Sequence, residues 1–125
     1  MKLIIDAYNL LYRVDTKKSS LEAKREELIS LIEEFMTVNK ADVTLVFDGR
    51  NQESNTRGHD KRGPLKIIFS ARGETADEII MEMIQKRTGK AKEYVIVSSD
   101  NMIKNFALEN HMNAMTSDEF IDYLT

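Results

Sequence analysis

The chain contains no cysteine. Disulfides and thiolate metal sites are therefore excluded, and a reducing, cytoplasmic location is expected. Histidine is nearly absent as well: His59 and His111 share neither a helical face nor a short spacing, which speaks against zinc. Any metal would have to be held by oxygen, the preference of Mg²⁺ or Mn²⁺. No apolar run approaches the roughly 20 residues that span a bilayer. The opening Met1-Lys2-Leu3-Ile4-Ile5-Asp6 turns acidic too early for a signal peptide, so no membrane association is expected. Glycine-rich phosphate cradles, GxGxxG and the P-loop, are missing, which argues against a nucleotide cofactor.

What is present suits a globular protein. Of 125 residues, 42% are apolar and 31% charged, the composition of a chain that buries a core. A single domain over residues 1–125 is expected. The net charge of −3 is not that of a basic nucleic-acid binder. Between positions 50 and 66, however, Arg50, Arg57, Lys61, Arg62 and Lys66 face only Glu53 and Asp60, a local excess of three positive charges. Such a segment can contact phosphates while carboxylates elsewhere bind metal, or it can be a solvated surface loop.

The hydrophobic pattern alternates between two periods. Leu3-Ile4-Ile5 reads as a buried strand ended by Asp6. Ser19 with Glu22 fits a capping box opening a helix whose buried face is Leu28, Leu31, Ile32, Phe35 and Met36. Residues 43–47 are β-branched and apolar and stop at Asp48-Gly49. A loop over 50–64 leads to a strand over 65–69, and Ala76, Ile79, Ile80, Met83 and Ile84 mark a second amphipathic helix. Residues 94–97 form a further strand running into Ser98-Ser99-Asp100, followed by a helix around 103–109 and a short strand at 113–115. Thr116 with Glu119 caps a last helix. Strands alternating with helices imply a mostly parallel sheet covered on both faces, with ligands beyond the carboxyl ends of the strands.

That rule selects a set of acids. Asp6, Asp48 and Asp100 each follow a strand, and the helix that starts near Glu74 brings Asp77 to the same edge. At about 100° per residue, Asp77 flanks the buried direction of its helix while Glu78 points away. Crowded carboxylates need protons or cations to neutralise them. Mg²⁺ takes one or two carboxylates plus water and phosphate oxygens, and can generate hydroxide for attack on a phosphodiester. The plainer role for each of these aspartates is a helix cap or strand end. Asn9, Ser98 and Ser99 could orient a metal-bound water or touch phosphate, or simply cap neighbouring helices.

Four blocks in order carry a resemblance: Ile5-Asp6-Ala7-Tyr8-Asn9-Leu10-Leu11, Val46-Phe47-Asp48-Gly49, Gly73-Glu74-Thr75-Ala76-Asp77-Glu78 and Val97-Ser98-Ser99-Asp100. Together they resemble the NYN domain family of PIN-like nucleases, most closely its YacP-like bacterial branch, over nearly the whole chain. The resemblance implies a three-layer α/β/α sandwich and a Mg²⁺- or Mn²⁺-dependent endoribonuclease. It places catalytic and metal-binding roles on Asp6, Asp77 and Asp100, with Asp48 and Glu74 as further metal candidates. Asn9, Arg50, Arg57, Lys61, Arg62, Ser98 and Ser99 are the candidates for contact with RNA. Messenger RNA and the ribosome are the implied partners. Two departures stand out: Ala7 replaces the family's usual glycine, and with Thr125 as the last residue the basic C-terminal extension of related proteins is not expected. The alternatives are a non-catalytic RNA-binding adaptor on the same fold and a PIN-type toxin. A phosphoacceptor receiver domain fits poorly, because Tyr8-Asn9 stand where paired acids would be.

Overall fold

The computed structural model describes residues 1–49 and 54–124. Its centre is a six-stranded sheet. The strands are β1 (Lys2–Asp6), β2 (Asp42–Phe47), β3 (Gly58–Arg62), β4 (Leu65–Phe69), β5 (Tyr94–Val97) and β6 (Asn113–Met115), in the order β3-β4-β2-β1-β5-β6. Every pairing is parallel except β3 with β4. The helices are α1 (Ala7–Leu11), α2 (Leu21–Asn39), α3 (Ala76–Lys86), α4 (Asn101–Glu109) and α5 (Ser117–Ile121), with a 3₁₀ segment at Thr88–Glu93.

The period-2 alternation of the strands sorts the core into two layers. Leu3 and Ile5 of β1 face a cluster completed by Leu28 and Ile32 of α2, Leu10 of α1 and Phe120 of α5. Ile4, between them, faces the opposite cluster with Ile79, Ile80 and Met83 of α3 and Ile103 and Ala107 of α4. The result is the expected α/β/α sandwich. Strand β1 lies at the point where the connections change direction: β2 and β4 are added on one side, β5 and β6 on the other. In such sheets the crevice beyond the strand ends at this point is the ordinary ligand position.

Two sequence expectations need correction. The 50–64 loop contains a strand: Gly58–Arg62 pairs antiparallel with β4 through a two-residue turn at Gly63-Pro64. Gly63 takes φ +57°, a left-handed conformation that glycine adopts without penalty. β3 shows no hydrophobic alternation because it is an edge strand, and charged residues on an edge deter further pairing. The cap of α2 is Ser20, whose side chain accepts from the Ala23 main-chain N–H; adjacent serines made the start ambiguous by one residue.

Candidate active site

Asp6 ends β1 and occupies the N-cap position of α1, yet its side chain does not cap that helix. The carboxylate, only 8% exposed, instead accepts from the Ser98 hydroxyl at 3.1 Å. Burial removes it from water and pushes its pKa from 3.8 up to about 6. The Ser98 hydroxyl and the nearby Asn9 main-chain N–H pull it back, while the charges of Asp77 and Asp100 push it further up.

Asp77, in the first turn of α3, is also raised, first by burial and then by the charges of Asp100, Asp48 and Glu78. Thr75 caps this helix by accepting from the Glu78 N–H, which sets where α3 begins and hence where Asp77 stands. Asp100 retains the plainer role as well: its Oδ1 caps α4, accepting from the main-chain N–H groups of Met102 (2.8 Å) and Ile103 (3.2 Å). Asp6, Asp77 and Asp100 therefore share one electrostatic neighbourhood, with Asp48 acting on Asp77. Among the described residues, no group of three or more carboxylate or imidazole side chains is gathered tightly enough to hold an ion jointly. The donor set still suits Mg²⁺ or Mn²⁺: it is all oxygen, desolvated at Asp6 and mutually repelling, and Mg²⁺ asks for one or two carboxylates with water completing its shell.

The surrounding polar residues lock the frame. Ser98, fully buried, donates to Asp6 and accepts from the Asp100 N–H at 3.1 Å. Asn9 lies inside α1 rather than at its start. Its Oδ1 accepts from the Ser99 N–H (2.9 Å) and the Ser117 hydroxyl (2.6 Å), joining α1, the β5–α4 loop and α5. Ser99 Oγ in turn accepts from the Ser117 N–H at 3.0 Å. The carbonyl oxygen of Asn9 is thus committed to the frame, and its amide nitrogen is the end that could reach a phosphate. Ser117 was not singled out in the sequence; a serine one place inside a helix start carries no signal of a partner 108 residues away.

Other candidates fall outside this cluster. Glu74 accepts two-pronged hydrogen bonds from Arg57, and also accepts from the Ala71 N–H. Arg57 holds the Glu74 carboxyl below its ordinary pKa, so this acid is already neutralised in an ion pair. The same guanidinium pairs with Glu82 at 2.6 Å, and Arg62 pairs with Glu26 at 2.6 Å. Two of the three arginines expected to meet RNA, Arg57 and Arg62, are thereby engaged with the protein's own acids. Lys61 lies on β3, and Arg50 falls outside the described residues.

The profile of the YacP-like NYN domain matches residues 3–125. The chain belongs to that family. The NYN domain is a nuclease-family fold. The chain is 29% identical over 105 residues to the uncharacterized protein YacP of Bacillus subtilis (strain 168), covering 78% of this chain and 59% of that protein. It thus spans about three fifths of the length of that YacP-like relative. Its fold is similar to the crystal structure of Rae1 (YacP) from Bacillus subtilis, with a TM-score of 0.74 at 23% identity over 99% of this chain and 73% of that one. A mutant of the same protein matches with a TM-score of 0.79, at 23% identity over 98% and 74% of the two chains.

Proposed function

We propose that this YacP-like NYN domain is a metal-dependent endoribonuclease that hydrolyses RNA phosphodiester bonds at the edge formed by Asp6, Asp77 and Asp100. The observation that carries the reading is the shared electrostatic neighbourhood of the three acids, with Asp6 buried and raised to about 6. Burial is the largest cause of both shifts and the neighbouring charges add to it; a bound cation would offset both.

Asp6 and Asp77 are the first choices to hold Mg²⁺ or Mn²⁺ through oxygen, and Asp100 and Asp48 would reach it through water. The ion would supply an activated water and neutralise charge on the phosphodiester. The chain's own residues prepare the place. Ser98 holds the Asp6 carboxylate in orientation and favours its charged form. Asn9 and Ser117 hold the Ser99 loop, and the capping bonds of Asp100 fix one of its oxygens. The substrate read from the family resemblance is messenger RNA, with the ribosome as partner and the cytoplasm as the place of action.

The test is cleavage of RNA by the purified chain, with Mg²⁺ or Mn²⁺ and with EDTA, in the presence and absence of ribosomes. Metal-dependent cleavage abolished by Asp77→Asn supports the proposal. Binding of RNA without cleavage under any of these conditions would assign the chain to a non-catalytic adaptor role instead.

A further inference from the structure

Lys61 and Lys66, the lysines of the basic 50–66 segment, lie toward the other end of the sheet. Lys2, Asp42 and Tyr94 are the first residues of β1, β2 and β5, and Arg87 closes the C-terminal end of α3. Together with Lys61 and Lys66 they line a cavity of about 360 Å³. It is separated from the acidic edge by the length of β1, about 13 Å at roughly 3.3 Å per residue.

Three features distinguish this cavity from an ordinary solvated surface. Four cations line it against one carboxylate, on a protein whose net charge is −3. Among the described residues Asp42 forms no ion pair with any of the four, and the Arg87 guanidinium spends one N–H on the Met83 main-chain oxygen at 3.3 Å and keeps its others. Lys61 and Lys66 also stand directly opposite each other across the β3–β4 hairpin, an arrangement that costs stability between like charges. On the cavity wall Lys2 Nζ and the Arg87 guanidinium lie 5.6 Å and 5.9 Å from the centre of the Tyr94 ring, whose face attracts both cations. Asp42 and the carbonyl end of α3 offset part of this positive charge, but not four cations.

We infer that this cavity is an anion site for phosphate groups, separate from the acidic edge and independent of the metal. Lys61 and Lys66 would supply the central charge and Arg87 a forked donor. Phosphate of this kind could come from an RNA backbone or from a small phosphorylated molecule.

The test uses the full chain in EDTA, so that metal at the acidic edge plays no part. Pyrophosphate is titrated while the main-chain amide signals of Lys61, Lys66 and Tyr94 are followed by NMR. The expected result is saturable shifts at these residues and an affinity at least fivefold lower in the double variant Lys61→Gln, Lys66→Gln. Lys17→Gln with Lys18→Gln removes the same charge from an exposed segment elsewhere and should leave the affinity unchanged. Equal loss in both double variants, or no saturable shift at millimolar pyrophosphate, would overturn the assignment. Displacement of pyrophosphate by single-stranded RNA identifies the backbone as the source, and failure to displace it identifies a small phosphorylated ligand. Asp6→Asn should not change pyrophosphate affinity, so failure of the nuclease proposal and failure of this one can be told apart.

Discussion

The Ser98 hydroxyl donates to Asp6 Oδ2 across 3.1 Å and thereby ties together the carboxyl ends of two neighbouring parallel strands, β1 and β5. The same oxygen accepts from the Asp100 N–H, so one serine sets the positions of two acids. Its removal leaves a desolvated carboxylate with one donor fewer. Ser98→Ala is expected to destabilise the protein by about 1–3 kcal/mol, the cost of an unsatisfied buried partner. It should also raise the Asp6 pKa above its present value of about 6. The check is the pH dependence of Mn²⁺ binding, whose midpoint should move upward in the variant. An unchanged midpoint would mean that the hydroxyl does not govern the charge on Asp6.

Asp6 itself opposes folding at neutral pH. Its folded pKa, about 6, lies above the ordinary value of 3.8, so the folded state binds the proton more tightly than the unfolded chain. The stabilisation from protonation is fully present below about pH 4 and is lost as pH rises through 6, a swing of about 3 kcal/mol. Asp6→Asn retains an oxygen to accept from Ser98 and carries no charge. At pH 8 without metal it should melt several degrees higher than the parent, at roughly 3 °C per kcal/mol. Near pH 4 the two should converge. Thermal melts across this range check the sign: a variant less stable at pH 8 would show that the carboxylate is a structural anchor.

The strand ends were legible because two simple patterns coincide there. β1, β2 and β5 are short β-branched or apolar runs, and in each an aspartate follows at or just beyond the end. Parallel topology then places Asp6, Asp48 and Asp100 on one edge. The amphipathic period of α3 put Asp77 beside its buried face, which agrees with its partial burial. The Arg57–Glu74 pair was not legible, since nothing local links residues 17 positions apart when the intervening strand β3 is itself hidden by its edge polarity. For the same reason the local excess of positive charge over 50–66 did not reveal which of its cations are paired within the protein. It counted charges without their partners, and the structure pairs Arg57 and Arg62 internally while directing Lys61 and Lys66 toward the remote cavity.

Those pairings lead to a prediction that separates the basic residues. Arg57 joins residues before β3 to α3 through Glu74 and Glu82, with side chains only partly exposed. Arg57→Ala should cost about 1 kcal/mol, as expected for a network open to solvent on one side. It should barely change the salt dependence of RNA binding, because this guanidinium already has two carboxylate partners. Binding isotherms at several salt concentrations check this. A slope reduced by about 0.7, the value for one lost phosphate contact on a single strand, would return Arg57 to the RNA interface.

Metal should reverse the pH trend at the acidic edge. Without it, rising pH charges Asp6 against Asp77 and Asp100 and weakens the fold. With Mg²⁺ or Mn²⁺ bound, the same charges become ligands, and the protein should gain about 2.7 kcal/mol at a concentration of one hundred times the dissociation constant. Melts at pH 8 should therefore rise with Mn²⁺ in the parent and much less in Asp77→Asn. Equal responses in the two proteins would place the ion elsewhere.

The chemistry of the cut ends discriminates between routes. Attack by a metal-activated water leaves a 5′-phosphate and a 3′-hydroxyl. Attack by the RNA's own 2′-hydroxyl requires general acid–base groups and leaves a 2′,3′-cyclic phosphate. His59 lies on the edge strand β3 and His111 follows α4, so neither belongs to the acid cluster, and the first outcome is expected. If Asp6 acts chiefly in the transition state, Asp6→Asn should slow single-turnover cleavage by about a hundredfold or more while RNA affinity changes only a few-fold. The higher stability expected for this variant at pH 8, once confirmed by its melt, separates loss of rate from unfolding. Cyclic-phosphate ends, or full activity in EDTA, would contradict the metal route. A variant that loses affinity in proportion to rate would move Asp6 from the reaction to the binding of RNA.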